Sequence, residues 1–201
     1  MKKDLVILVA DRDMEQTLLG LLSRPKALGI REVSYDIFAH PGRDPGVFLQ
    51  GAEFLRPFTD QYDFALVLFD REGCGQEERS PEDLENDLQA HLESAGWEGR
   101  CAVVVLDPEL EAWVFSHSPH VPEVIASGDT ELYERKVSAT PKNSLGKPER
   151  PKELMESLLR EKRIPRSSSL YRQLAEKVSL KQCHDRAFNK LRDTLQGWFG
   201  R

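Results

Sequence analysis

Three short apolar runs in this chain each end in carboxylates. Leu5 to Ala10 is followed by Asp11-Arg12-Asp13-Met14-Glu15, Phe64 to Phe69 by Asp70-Arg71-Glu72-Gly73, and Cys101 to Leu106 by Asp107-Pro108-Glu109-Leu110-Glu111. If the runs are strands of one sheet, these acids share an edge, where they repel one another unless a cation or raised pKa values relieve them. Oxygen ligands without neighbouring His or Cys favour Mg²⁺ or Mn²⁺ over zinc. Such ions activate water and clamp the attacking and leaving oxygens of a phosphodiester. Some of these acids have plainer roles open to them. Asp11 or Asp13 can serve as a helix N-cap, and Asp13, three residues before Gln16, fits a capping box and is the one expected to cap. Asp70-Arg71-Glu72-Gly73 reads on its own as a polar turn, and Glu109 as the acidic start of a helix.

Those acids need elements to carry them. The three apolar runs have the character of strands buried on both faces of a parallel sheet, and Val33 to Phe38 alternates as a flanking strand does. Helical stretches alternate with them: Met14 to Leu22, Val47 to Phe58, and Glu82 to Ala95, the last with Ser80 as N-cap and Pro81 at the first helical position. Strand and helix in alternation imply right-handed crossovers, hence an α/β fold with a parallel four-stranded sheet and flanking helices. Downstream, Glu109 to Ser116 and Glu131 to Val137 are expected as short helices, His117 to Pro122 as a turn, and Ser138 to Pro151 as a linker or loop. Lys152 to Lys162, Ser169 to Val178 and Leu180 to Phe199 then form a helical C-terminal region. The expected division is residues 1–137 as the α/β domain and 138–201 as a basic helical region, appended or packed on the same core.

Composition excludes several classes. With 201 residues, 39% hydrophobic and 31% charged, the chain is too apolar for a disordered tail and too long for a disulfide miniprotein. Cys74, Cys101 and Cys183 are odd in number and far apart, which supports neither a disulfide framework nor zinc. No apolar run approaches the roughly 18 residues that cross a bilayer. Lys2-Lys3 precedes an apolar stretch without a small-residue cleavage site, so no membrane partner and a cytoplasmic location are expected. Charge is divided: residues 1–134 hold 11 Lys and Arg against 27 Asp and Glu, net −16, while residues 135–201 hold 17 against 7, net +10. An acidic body suits divalent cations, and a basic lobe displaces counterions from a phosphate backbone. Lys142, Lys147, Lys152, Lys162, Arg163 and Arg166 are the candidate nucleic-acid contacts; the same charges would also suit a solvated face or attraction between the two halves. His40, in His40-Pro41-Gly42-Arg43 after the second strand, is a turn residue or an auxiliary general base. His117 and His120 are assigned no metal, and no Gly-rich phosphate loop follows the first strand.

These motifs resemble the Toprim fold of topoisomerases, DnaG-type primases and OLD-type nucleases, where a glutamate after the first strand and an Asp-x-Asp after a later one form a Mg²⁺ site. They are similar, more closely, to a bacterial Toprim-like family catalogued as domain of unknown function 4276. Asp11-Arg12-Asp13-Met14-Glu15 stands where that family has Glu-Gly-x-Thr-Glu, Asp70-Arg71-Glu72 where it has Asp-x-Asp, and Glu111-Ala112-Trp113 where it has Glu-x-Trp. Tyr171 and Asp185-Arg186-Ala187-Phe188 resemble its closing helical elements. The resemblance implies a Mg²⁺- or Mn²⁺-dependent nuclease of anti-phage defence, with nucleic acid and other defence proteins as partners. Asp11, Asp70 and Glu72 would be catalytic metal ligands, Glu15 a catalytic acid or base, and Glu111 auxiliary. Asp11 replaces the usual Glu and Glu72 the usual Asp; each swap keeps the charge and moves the carboxylate by one methylene, roughly 1.5 Å. These departures carry the alternative expectation, a catalytically degenerate binding or regulatory subunit of a defence complex.

Overall fold

A computed structural model describes residues 2–144, 146–180 and 183–200, and its architecture is α/β. Among those residues β1 (Lys3–Val9), β2 (Tyr35–Ala39), β3 (Tyr62–Asp70) and β4 (Cys101–Leu106) form one sheet of order β2-β1-β3-β4 in which every pairing is parallel. β1, β3 and β4 run apolar without alternation because helices cover both of their faces. β2 is an edge strand, only half-buried. Register pairs Val9 with both Ala39 and Leu68, and Asp70 with Leu106, so all four strands deliver their carboxyl ends to one edge.

The helices follow in chain order: α1 (Arg12–Leu22), α2 (Pro25–Leu28), α3 (Arg43–Leu55), α4 (Pro81–Leu92), α5 (Glu111–Val114), α6 (His120–Ile125), α7 (Thr130–Ala139), α8 (Pro151–Glu161), α9 (Ser168–Lys177) and α10 (Arg186–Phe199). Strand geometry sorts them onto two faces. Phe69 of β3 meets Phe48 of α3 with ring centroids 5.8 Å apart. Phe64, on the opposite face of the same strand, stacks on Trp198 of α10 at 4.6 Å and meets Phe199 edge-on at 5.4 Å. Phe199 is thus core, and Trp198, partly buried, packs against it.

α8, α9 and α10 join the sheet in one continuous hydrophobic cluster, to which they contribute Met155, Leu158, Tyr171, Leu191 and Phe199. α9 packs along α1, and Arg24 secures the end of α9 by donating to the carbonyls of Ala175 and Val178, both at 2.8 Å. At the free edge of β4, Glu85 of α4 is 2% exposed and accepts from the Val105 N–H at 2.9 Å. Arg186 and Lys190 of α10 neutralise that carboxylate at 3.0 and 2.7 Å, so a side-chain clamp satisfies the Val105 N–H on this open edge.

Several boundaries depart from the sequence expectation, mostly for capping reasons. α1 is capped by Asp11, whose Oδ1 accepts from the Met14 N–H at 3.0 Å, and not by Asp13. α3 begins at Arg43 and not Val47, because Asp44 and Pro45 are at home in a first turn. α10 begins at Arg186 and not Leu180, since Asp185 accepts from the Phe188 N–H; Lys181 and Gln182, inside the expected helix, lie outside the described residues. α5 spans only Glu111–Val114, and the expected turn at His117 to Pro122 contains the start of α6. In the expected linker, Lys142 and Pro148 form an antiparallel bridge, so the segment folds back on itself; Leu145 lies outside the described residues.

Candidate functional site

In the order β2-β1-β3-β4 the chain leaves β1 toward β2 and then crosses back to β3, so the topological switch point lies between the carboxyl ends of β1 and β3, the place where open parallel sheets bind their ligands. Asp11 stands at the end of β1 and Asp70 at the end of β3. A third carboxylate, which sequence reasoning did not single out, joins them. Asp44, in the first turn of α3, accepts from the Asp70 N–H through Oδ1 at 2.8 Å. The signal was present as an Asp-Pro pair, the chemistry of a helix start, but its tertiary partner is 26 residues away.

Asp70 is the electrostatic centre of the site. Its Oδ1 is buried and has no hydrogen-bond partner among the described residues. Burial, then the charges of Asp44, Glu111, Asp11 and Glu109 in that order, push its carboxyl well above the usual carboxylate range. Burial also raises Asp44, with Asp11 adding to the effect. Glu109, 6% exposed, is pushed up to about 7 by burial and by the charge of Glu111. It has a structural task as well, because Oε1 accepts from the Lys152 N–H at 3.1 Å, at the start of α8, where Arg150 offers no side-chain cap.

Glu111 is buried and doubly engaged. The Tyr171 hydroxyl donates to its Oε1 at 2.6 Å and Arg166 donates to the same oxygen at 3.1 Å. Arg166 also pairs with Asp13 at 3.5 Å and with Glu156. Two residues on, Trp113 donates from Nε1 to Asp185 at 2.9 Å and lies edge-on to Phe188. The separate motifs around Glu111, Tyr171 and Phe188 are therefore neighbours in space.

Other predicted residues fall differently. Glu72 is exposed on the turn after β3, close enough to Glu109 to raise it, while the largest charges that raise Asp70 come from Asp44, Glu111, Asp11 and Glu109. Glu15 lies half-buried in the first turn of α1. His40 is 6% exposed and accepts from the Gly42 N–H through Nδ1 at 3.0 Å, with burial pushing its imidazole below its ordinary value. A Cβ at Gly46 would sit 2.3 Å from that Nδ1, so the ring is wedged into the start of α3 as a turn residue. Of the basic residues, Lys147 donates to the Ala112 carbonyl at 2.7 Å and is 3.8 Å from Asp185, Lys152 is 3.8 Å from Glu109, and Lys162 pairs with Asp129 at 3.0 Å. Lys142 and Arg163 are exposed, with no side-chain partner among the described residues.

Among the described residues no group of three or more His, Cys, Asp or Glu side chains is arranged to hold a metal ion as it stands. The unpaired, buried Asp70 Oδ1 and the oxygen-only character of its neighbours nonetheless match what a hard divalent cation takes as ligands. No helix among the described residues is long and apolar enough to cross a membrane. Comparison of the chain with protein-family models, curated proteins and solved structures gave no match.

Proposed function

We propose that this chain is a Mg²⁺- or Mn²⁺-dependent phosphoryl-transfer enzyme, a nuclease acting on DNA or RNA as part of bacterial anti-phage defence. The observation that carries the proposal is Asp70 Oδ1, buried without a donor among the described residues and raised by the charges of Asp44, Glu111, Asp11 and Glu109, at the switch point where an open parallel sheet binds its ligand. The likeness of the motifs to the Toprim-like family supplies the reaction class and the defence setting. Asp11 and Asp70 would hold the ion, with Glu72 reaching in from the turn. Bound there, the ion would activate water and offset charge developing on the phosphate. Glu15 would serve as auxiliary acid or base. Asp44 orients Asp70 through its backbone N–H, and Arg166 offsets the charge of Glu111 and Asp13.

The test is incubation of the protein with linear, circular and single-stranded DNA and with RNA, in Mg²⁺, Mn²⁺ or EDTA, beside Asp70→Asn. Metal-dependent cleavage that the variant lacks is the expected result, and absence of cleavage of every substrate would contradict it. One observation favours a second reading, a degenerate binding or regulatory subunit of a defence complex: Arg166 already neutralises part of the acidic edge from within the chain. On that reading phage protection survives Asp70→Asn.

A further inference from the structure

The turn that follows β3 holds an anion of its own. Gly73 and Gly75 have φ of 87° and 82°, a left-handed conformation that side chains disfavour, and each alternates with a residue of ordinary hand. Alternation of this kind turns successive backbone N–H groups toward one point and makes an anion-binding nest. Here the Gly73 N–H at 3.0 Å and the Gly75 N–H at 3.2 Å both donate to Glu77 Oε1, and the backbone N–H of Glu77 joins them.

Three further observations make this more than a loop closing on itself. The carboxylate in the nest is on the protein surface, so its donors are within reach of solvent and of solutes. The frame beneath is fixed: Cys74 is buried, the Cys74 N–H donates to the Arg71 carbonyl at 3.2 Å, and the Glu72 N–H donates to the Pro108 carbonyl at 2.9 Å. Arg71 is also held in place, donating from Nε to Asp107 at 2.9 Å and from one terminal nitrogen to the Glu77 carbonyl at 3.0 Å. The backbone N–H groups of Glu77, Gly75 and Gly73, with a smaller contribution from the Arg71 charge, keep the Glu77 carboxyl below its usual range. Convergent N–H groups beside a guanidinium are donors suited to a phosphate. The nest begins three residues after Asp70, on the edge where the sheet presents its acids.

We propose that the Gly73–Glu77 turn is a phosphate-binding site whose resting occupant is the Glu77 carboxylate, displaced when a backbone phosphate of a nucleic-acid strand docks beside Asp70. The nest would anchor a phosphate adjacent to the one that reacts and so set the register of the strand. The identity of the ligand rests on the phosphoryl-transfer reading above; the existence of the anion site does not.

The experiment follows the backbone amide resonances of Gly73 and Gly75 in the isotopically labelled full chain, in EDTA, as inorganic phosphate and then a short single-stranded oligonucleotide are added. In Glu77→Ala both amides should shift saturably, at concentrations about tenfold or more below those needed in the unaltered chain, because an intramolecular competitor has been removed. Glu77→Gln keeps an oxygen that can accept from the two glycines while removing the charge, and guards against collapse of the turn; it should bind phosphate at concentrations between the other two. Amides that never saturate in either variant, or that respond at the same concentration in all three proteins, would overturn the proposal. Saturation by inorganic phosphate but not by the oligonucleotide would overturn its assignment to a nucleic-acid strand. Saturation by both without any cleavage activity would leave the site standing and remove only the nuclease reading.

Discussion

The Tyr171 hydroxyl and Glu111 Oε1 are joined by a buried 2.6 Å hydrogen bond that ties α9 to the acidic edge of the sheet. Burial and the Glu111 charge hold the phenol well above its usual range, so it stays protonated and acts there as a donor. Tyr171→Phe removes that donor and leaves Glu111 with Arg166 as its remaining side-chain donor among the described residues. The expected cost is about 2 kcal/mol of folding stability, the scale of a hydrogen bond to a buried charged acceptor, read from the denaturant midpoint at unchanged slope. A loss below about 0.5 kcal/mol would show that the contact is incidental.

Acid crowding makes stability depend on pH. Glu109, raised in the folded chain from its ordinary 4.5 to about 7, binds its proton more tightly folded than unfolded. Between those pH values the folded state carries more protons, so stability falls as pH rises and the cost is complete above about pH 7. For this group alone the fall is of order 3 kcal/mol. Unfolding in EDTA from pH 4.5 to 8 should therefore show a decline that Glu109→Gln flattens. A slope equal in the variant would place the strain elsewhere in the cluster.

The basic residues divide into structural and free. Lys142 and Arg163 have no side-chain partner among the described residues, whereas Lys147 is bound to the Ala112 carbonyl and lies beside Asp185. Lys142→Ala and Arg163→Ala should each weaken polyanion binding with little change in Tm, and each should reduce the slope of log affinity against log salt by about 1. Lys147→Ala should instead lower Tm. Binding that is indifferent to Lys142 and Arg163 would move the nucleic-acid surface elsewhere.

Much of the fold is legible in the residues because its cause is local. Strands such as Phe64 to Phe69 announce themselves by being apolar throughout, and Ser80-Pro81 marks the start of α4 through its cap, which accepts from the Asp83 N–H at 3.1 Å. The acids at the ends of β1, β3 and β4 are equally plain, since a parallel sheet must present them together. What stays hidden depends on long-range partners. Asp44 becomes part of the site only because α3 brings it to the Asp70 N–H, and Arg166 reads as one more cation of a basic stretch until α9 packs on α1 and carries it to Glu111 and Asp13. The cap of α1 falls to Asp11 and not to Asp13 for a comparable reason. Either can cap α1 locally, but Arg166 draws Asp13 away, and Asp11 is left to accept from Met14.

The most direct test of the account is titration of Mn²⁺ into the full chain and into Asp70→Asn and Asp44→Asn, followed by calorimetry and by the paramagnetic signal of free Mn²⁺. A buried carboxylate oxygen without a donor among the described residues, crowded by other acids, predicts a single saturable site in the unaltered chain that Mg²⁺ competes for. Asp70→Asn should weaken it by at least about tenfold, with a smaller loss in Asp44→Asn. Equal binding by the unaltered chain and Asp70→Asn, or no saturable binding by the unaltered chain, would contradict the claim that this edge of the sheet is built around a cation.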